Sequence, residues 1–144
     1  MRPVLLASLL VASCVYAQDN TRFMVSRDSV PTYINEPGSI GMTILLDEAS
    51  TGSDVGFSLG TFLPGANVAE HVHEGVAELL CIMSGEMELV IDGATVIARE
   101  GSAVYIPPDV PHSAQVLSGI EPVKVIQVYS PGGAEQRFKD WRTE

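Results

Sequence analysis

Between residues 39 and 130 the chain consists of short apolar runs cut by Gly, Pro and Asp turns, and no helix-period run of useful length appears before residue 133. A chain of this kind can bury its apolar residues only by pairing strands and packing the sheets face to face, as a sandwich or jelly roll. Residues 39–46 read as a strand, 47–54 as a polar turn, and 55–63 as a second, alternating strand. Pro64-Gly65 then turns the chain into a segment carrying two histidines. Further strands are predicted over 77–83, 87–91, 94–98, 103–106, 113–117 and 123–129, and Asp92-Gly93 is the strongest hairpin signal. A short helix within 132–141 would cover one end of the roll.

All three histidines fall inside this strand-rich region. His71 and His73 stand two apart, Glu78 follows, and His112 returns from a later strand. Residues i and i+2 of a strand share a face, so two imidazoles can converge on one ion at ~2.0–2.1 Å. A carboxylate and a third imidazole from neighbouring strands complete the set. Three nitrogens and one oxygen suit one divalent transition metal ion (Fe, Mn, Zn, Ni or Cu) and leave room for water or substrate beyond four ligands. Any one of these histidines alone reads as a core imidazole satisfied by a backbone carbonyl. Their confinement to one spaced pattern favours the metal.

The spacing resembles the cupin superfamily. The first cupin motif, Gly-x5-His-x-His-x3–4-Glu-x6-Gly, is matched by Gly65, His71, His73, Glu78 and Gly85. The second, Gly-x5-Pro-x-Gly-x2-His-x3-Asn, is matched by Gly101, Pro107 and His112, with Asp109 in place of the glycine and Val116 in place of the asparagine. Neither departure touches a ligand, and Asp tolerates the left-handed turn the glycine would supply. The resemblance implies an all-β double-stranded β-helix of the small single-domain, RmlC-like kind. It also implies a mononuclear metal at His71, His73, Glu78 and His112.

The 144 residues fit one domain. Its parts are an export signal over 1–17, an N-terminal arm over 18–38, the barrel over 39–131 and a tail over 132–144. Arg2, the apolar run over 4–13 and Val15-Tyr16-Ala17 make the signal, with cleavage before Gln18. A competing reading takes residues 11–14 as a lipoprotein box with a lipid anchor on Cys14. Neither reading gives a transmembrane span, which needs ~20 apolar residues. After cleavage only Cys81 remains, so no internal disulfide forms, and Cys81 is a packing residue. The formal charge of −10, from 8 basic and 18 acidic residues, excludes nucleic acid and anionic membrane surfaces as partners. The polar arm over 22–33 cannot form a core of its own and is expected to lie along the sheet edge of a second copy, making a homodimer.

Strand parity sketches the cavity. If Glu78 faces in, so do Leu80 and Ile82; if His112 does, so do Ala114 and Val116, and Gln115 faces out. Polar candidates behind the ligands are Tyr105, Gln127 and Tyr129, the last two sharing a face that the sequence does not identify. Glu70 and Glu74 read as solvated turn residues. No second carboxylate or spare imidazole is aimed inward, which argues against chemistry that needs a general acid–base pair. The expectation is an exported, metal-dependent enzyme of dioxygenase type acting on a small organic molecule. A non-catalytic cupin that binds a small ligand or the metal itself is the alternative, and an isomerase or decarboxylase a further one.

Overall fold

The computed structural model describes residues 24–117, 119 and 121–144. The expected signal over 1–17, Cys14 with it, and the first residues of the arm lie outside them. In chain order the strands are β1 (Tyr33–Ile34), β2 (Ile40–Leu46), β3 (Gly56–Phe62), β4 (Asn67–His71), β5 (Ala77–Ser84), β6 (Glu86–Ile91), β7 (Ala94–Arg99), β8 (Ala103–Ile106), β9 (His112–Gln115), β10 (Val123–Ser130) and β11 (Arg142–Thr143). They form two antiparallel sheets, ordered β11-β1-β2-β3-β10-β5-β8 and β4-β9-β6-β7. This is the all-β jelly roll that the turn rhythm predicts. None of the described helices is long and apolar enough to cross a membrane.

Local sequence accounts for the elements. Asp92 and Gly93 hold φ of 50° and 76°, and Ile91 pairs with Ala94 across them. Two positive φ values in a two-residue loop give the turn whose twist matches its strands. Along β5, Glu78, Leu80 and Ile82 are buried while Leu79 and Met83 are exposed, as period-2 alternation requires. Ile82, Met87, Leu89, Ile106, Val123 and Val125 fill the space between the sheets.

The outer face of the large sheet is also apolar. Phe57, Val128, Leu79 and Tyr105 lie in register across β3, β10, β5 and β8, with Leu59 and Ile126 in the adjacent row. Leu79, Met83 and Tyr105 are 41%, 52% and 60% exposed, so no described residue covers this face. Its outward positions carry no carboxylate among the described residues, although the chain has 18.

The arm ends differently from expectation. Tyr33 and Ile34 pair with Met42 and Gly41 on one side and with Thr143 and Arg142 on the other. The tail supplies β11 as the second partner, so both edges of β1 are satisfied within one chain. Between β10 and β11 lies a 3-10 helix, Ala134–Asp140.

Asp47 pins that helix. It caps the short helix α1 (Glu48–Thr51), in the stretch read as a polar turn, by accepting the Ser50 N–H at 2.7 Å. Its other oxygen accepts from Gln136 Nε2 at 2.9 Å and Lys139 Nζ at 2.8 Å. Burial opposes ionisation of Asp47, but the bonds from Gln136, Lys139 and Ser50 outweigh it and hold the carboxyl well below the usual range. A carboxyl with a depressed folded pKa contributes stability above its unfolded pKa of ~3.9 and loses it as pH falls through the acid range. Asp47→Asn is therefore expected to cost about 1–3 kcal/mol at neutral pH in urea unfolding. Its melting temperature should also fall less steeply than that of the wild type on acidification below about pH 4. Equal acid slopes for the two proteins would show that this cluster does not stabilise the fold.

Candidate metal centre

The two sheets bring four residues together inside the roll. Glu78 projects inward from β5, and His71 at the end of β4 lies in register with His112 at the start of β9. His73 falls just past the end of β4, which carries a register shift between Val68 and His71, rather than on the same regular strand as His71. Its loop is held from the second motif. Asp109, at φ 63°, donates its N–H to the His73 carbonyl at 3.1 Å and accepts the Gly75 N–H on its carboxylate at 2.9 Å. The residue that departs from the motif keeps the left-handed turn and ties two ligand-bearing loops together. Val116, the other departure, is buried and bonds through its backbone to Ala66 and Gly65.

One ligand atom from each of His71, His73, Glu78 and His112 lies within 4.8 Å of the others. Glu78 Oε2 is 3.0 Å from His73 Nε2 and 3.2 Å from His112 Nε2. Nδ1 of His71 is 2.9 Å from the Ala69 carbonyl, and Nδ1 of His112 is 2.9 Å from the Val110 carbonyl. A carbonyl only accepts, so each Nδ1 carries a proton, and His71 Nε2 is left with a lone pair turned inward. His71 Nε2 is buried without a hydrogen-bond partner. An orphaned buried acceptor beside two imidazoles and a carboxylate is what a divalent ion would satisfy, so the residues fit a metal.

At His71 and Glu78 the electrostatics agree with that fit. Burial lowers the pKa of His71, and the neighbouring His112, Arg137 and His73 add to the effect, keeping it a neutral donor. For Glu78 burial opposes ionisation, yet hydrogen bonds from His112, His73 and Gln127 overcome it and bring the carboxyl down to about 2. His112 is shifted upward, because its bonds to Glu78 and the Val110 carbonyl outweigh its burial.

Of the polar candidates, Gln127 and Tyr129 face in. Gln127 Nε2 donates to Glu78 Oε1, and the same nitrogen lies 2.9 Å from the Tyr129 hydroxyl. Tyr129 is fully buried, and burial with the Glu78 charge beside it keeps the phenol protonated. Tyr105 does not join them. It pairs with Leu79 on the outer face, while its neighbour Ile106 pairs with Glu78 on the inner one. Sequence reasoning missed Arg137. The 3-10 helix carries it to the cavity mouth, where Nη2 donates to the Tyr129 hydroxyl at 2.9 Å. Its Nη1 lies 3.4 and 3.5 Å from the two ring nitrogens of His73. The placement depends on Gly56, where a Cβ would overlap the carboxyl of Glu135, itself buried beneath the helix.

The cavity beside this cluster has a volume of about 340 Å³. Its walls are largely apolar, including Met42, Phe62, Leu80, Leu89, Ile106 and Val125. Apart from exposed Glu70 at the rim, every carboxylate and imidazole lining it belongs to the cluster.

Comparison with known proteins agrees with this architecture. KdgF from Halomonas sp. superposes with a TM-score of 0.67 at 21% identity, over 78% of this chain and 96% of that one. A predicted oxalate decarboxylase from Thermotoga maritima superposes with a TM-score of 0.66 at 23% identity, over 75% and 98%. An uncharacterized protein of Methanocaldococcus jannaschii is 24% identical over 99 residues, covering 69% of this chain and 78% of that protein. The family described as cupin domain matches residues 58–129, half of the chain, from the buried Ser58 of β3 through all four clustered residues to Tyr129. The chain belongs to the cupin family.

Proposed function

We propose that this is an exported, mononuclear metal-dependent enzyme of the oxygenase type, acting on a small organic molecule in the cavity. The observation that carries the reading is the inward lone pair of His71 Nε2, buried and without a partner among the described residues, beside a cavity whose described lining offers no carboxylate or imidazole apart from the cluster and an exposed rim glutamate. A bound divalent first-row ion would supply Lewis acidity and, for redox-active ions, electron transfer. The protein's own groups do the rest. The Ala69 and Val110 carbonyls fix the imidazoles of His71 and His112, and Gln127 orients Glu78. Tyr129 keeps its proton, and the apolar walls exclude bulk water from the reacting face. Decarboxylation is the second reading, favoured by the fold shared with the predicted oxalate decarboxylase.

Oxygen uptake and carbon dioxide release, measured on protein loaded in turn with Fe, Mn, Zn, Ni and Cu, separate these readings. The expected result is oxygen consumption that requires both metal and an organic substrate and disappears in Glu78→Ala. Carbon dioxide release without oxygen uptake would assign the decarboxylase, and tight ligand retention without turnover would overturn the enzyme in favour of a binding module.

Metal loss should also be visible without any substrate. His73→Ala is expected to lower bound metal by about tenfold or more, and to lower the melting temperature together with it, since a ligand that binds only the folded state stabilises it. Elemental analysis and calorimetry before and after dialysis against a chelator check this. A full equivalent of metal with an unchanged melting curve in the variant would remove His73 from the site.

The same reading takes the protein as a homodimer, closed through the outer face of the large sheet rather than through the arm. A chain of net charge −10 can meet its own copy with least repulsion at a surface free of carboxylates, and the Leu79–Tyr105 face is such a surface. Two flat sheet faces pack about 10 Å apart under two-fold symmetry. Sedimentation at tens of micromolar should give twice the chain mass, and Leu79→Asp with Val128→Asp should halve it without changing the far-UV circular dichroism. A monomeric wild type, or a folded double variant that still dimerises, would exclude this interface.

A further inference from the structure

We infer that the cavity is built for a small organic acid, with its carboxylate held by Arg137 at the mouth and its apolar part against the walls. The inference rests on the reading of the His–Glu cluster as the reactive centre and names the substrate class of that site.

Arg137 is a cation without a carboxylate partner among the described residues, in a chain rich in anions. The chain has 18 acidic residues against 8 basic ones; among the described cations Arg99 is 2.6 Å from Glu86 and Lys139 is 2.8 Å from Asp47, while Arg27, Lys124 and Arg142, like Arg137, are in no ion pair with a described residue. Among the described residues no carboxylate lies at ion-pair distance from Arg137. Its guanidinium is nevertheless fixed in place. Nη2 is bonded to Tyr129 at 2.9 Å, and the guanidinium carbon sits 5.0 Å from the Phe138 ring centre and 5.7 Å from that of Tyr129. A guanidinium carries five N–H donors, so most remain for a ligand arriving from solvent. A planar fork of donors matches a carboxylate bidentately.

Charge balance points the same way. Glu78 is the only buried anion in the cluster, opposed by Arg137 and by whatever divalent ion the histidines hold, so the site stays cationic until an anion enters. The volume of about 340 Å³ sits at the small end of ligand cavities. Most of the wall, including Met42, Phe62, Leu80, Ile106 and Val125, is apolar, and beyond Glu70, Arg137 and the cluster its other polar groups, Asn35, Asn67 and Gln127, are neutral, which favours a monoacid with a hydrocarbon portion over a polyanion.

Trp141 is the only tryptophan of the chain and lines this cavity, so its fluorescence reports occupancy directly. The probes are the linear monoacids from acetate to octanoate, each paired with its amide, titrated into metal-loaded wild type, Arg137→Gln and Arg137→Lys, with metal content measured on the same samples. The wild type is expected to bind at least one acid tenfold or more tightly than its amide. Arg137→Gln should lose that preference, weakening the acid by about 10–100-fold while leaving the amide and the metal content unchanged. Arg137→Lys, which keeps the charge but not the fork, should recover only part of it. The inference is overturned if no acid in the series binds, if acid and amide bind equally to the wild type, or if Arg137→Gln keeps the preference. An intact acid preference on protein that takes up no metal would instead leave the acid site standing and remove the metal-dependent reading.

Discussion

A carboxylate that is 4% exposed inside a β-roll persists only if several donors satisfy it at once, and Glu78 imposes that condition on the whole structure. Its donors come from different places in the chain: His73 from the loop after β4, His112 from β9, and Gln127 from β10. The four-stranded sheet must therefore face the seven-stranded one in a single register. Sliding any of these strands by one residue would turn its polar group outward and leave Glu78 buried without compensation. The ties beyond the cluster follow from the same requirement. Asp109 locks the His73 loop, and the carbonyls of Ala69 and Val110 each fix an imidazole two residues on. The barrel is specified by its polar centre as much as by its apolar core.

The tail is recruited to that centre by a second buried-polar cluster on the outside of the roll. Asp47 and Glu135 are both 1% exposed, and both accept from Gln136. Together with Phe138 packed on Trp141 at 5.0 Å, they dock the 3-10 helix so that Arg137 reaches the cavity mouth while its backbone stays at the surface. Most of this machinery supports one guanidinium. A helix of seven residues has little stability of its own, so its position is set by these side-chain anchors.

Much of this was legible in the sequence. The convergence of His71, His73, Glu78 and His112 follows from motif spacing, and the inward parity of Leu80, Ile82 and Val116, the outward Gln115 and the Asp92-Gly93 hairpin follow from strand alternation and turn chemistry, which are local in sequence. Arg137 was not legible. Among alternating charges at the end of the chain it looks like part of a solvated face, and only the contacts of Asp47 and Glu135, one of them with a partner 89 residues away in sequence, bring it to the cavity. The arm was misread at Tyr33 for a related reason: the strand that completes its pairing is the last one in the chain.

Tyr105, Gln127 and Tyr129 mark a different limit. Parity distinguishes inside from outside only where one face of a strand is polar. On β10 the inward positions include Val123 and Val125 and the outward ones Ile126 and Val128, so alternation gives no contrast and the shared face of Gln127 and Tyr129 stays undetermined. On β8 the outward Tyr105 is flanked by Val104 and Ile106 facing in, again without polar contrast. The ambiguity carries physical information, because an antiparallel strand that is apolar on both sides is expected to be covered on both sides. The inner side is covered by the second sheet. The outer side of β3, β10, β5 and β8 has no such cover among the described residues, so the feature that obscured strand orientation is the same two-sided apolarity that leaves Leu79, Met83 and Tyr105 exposed.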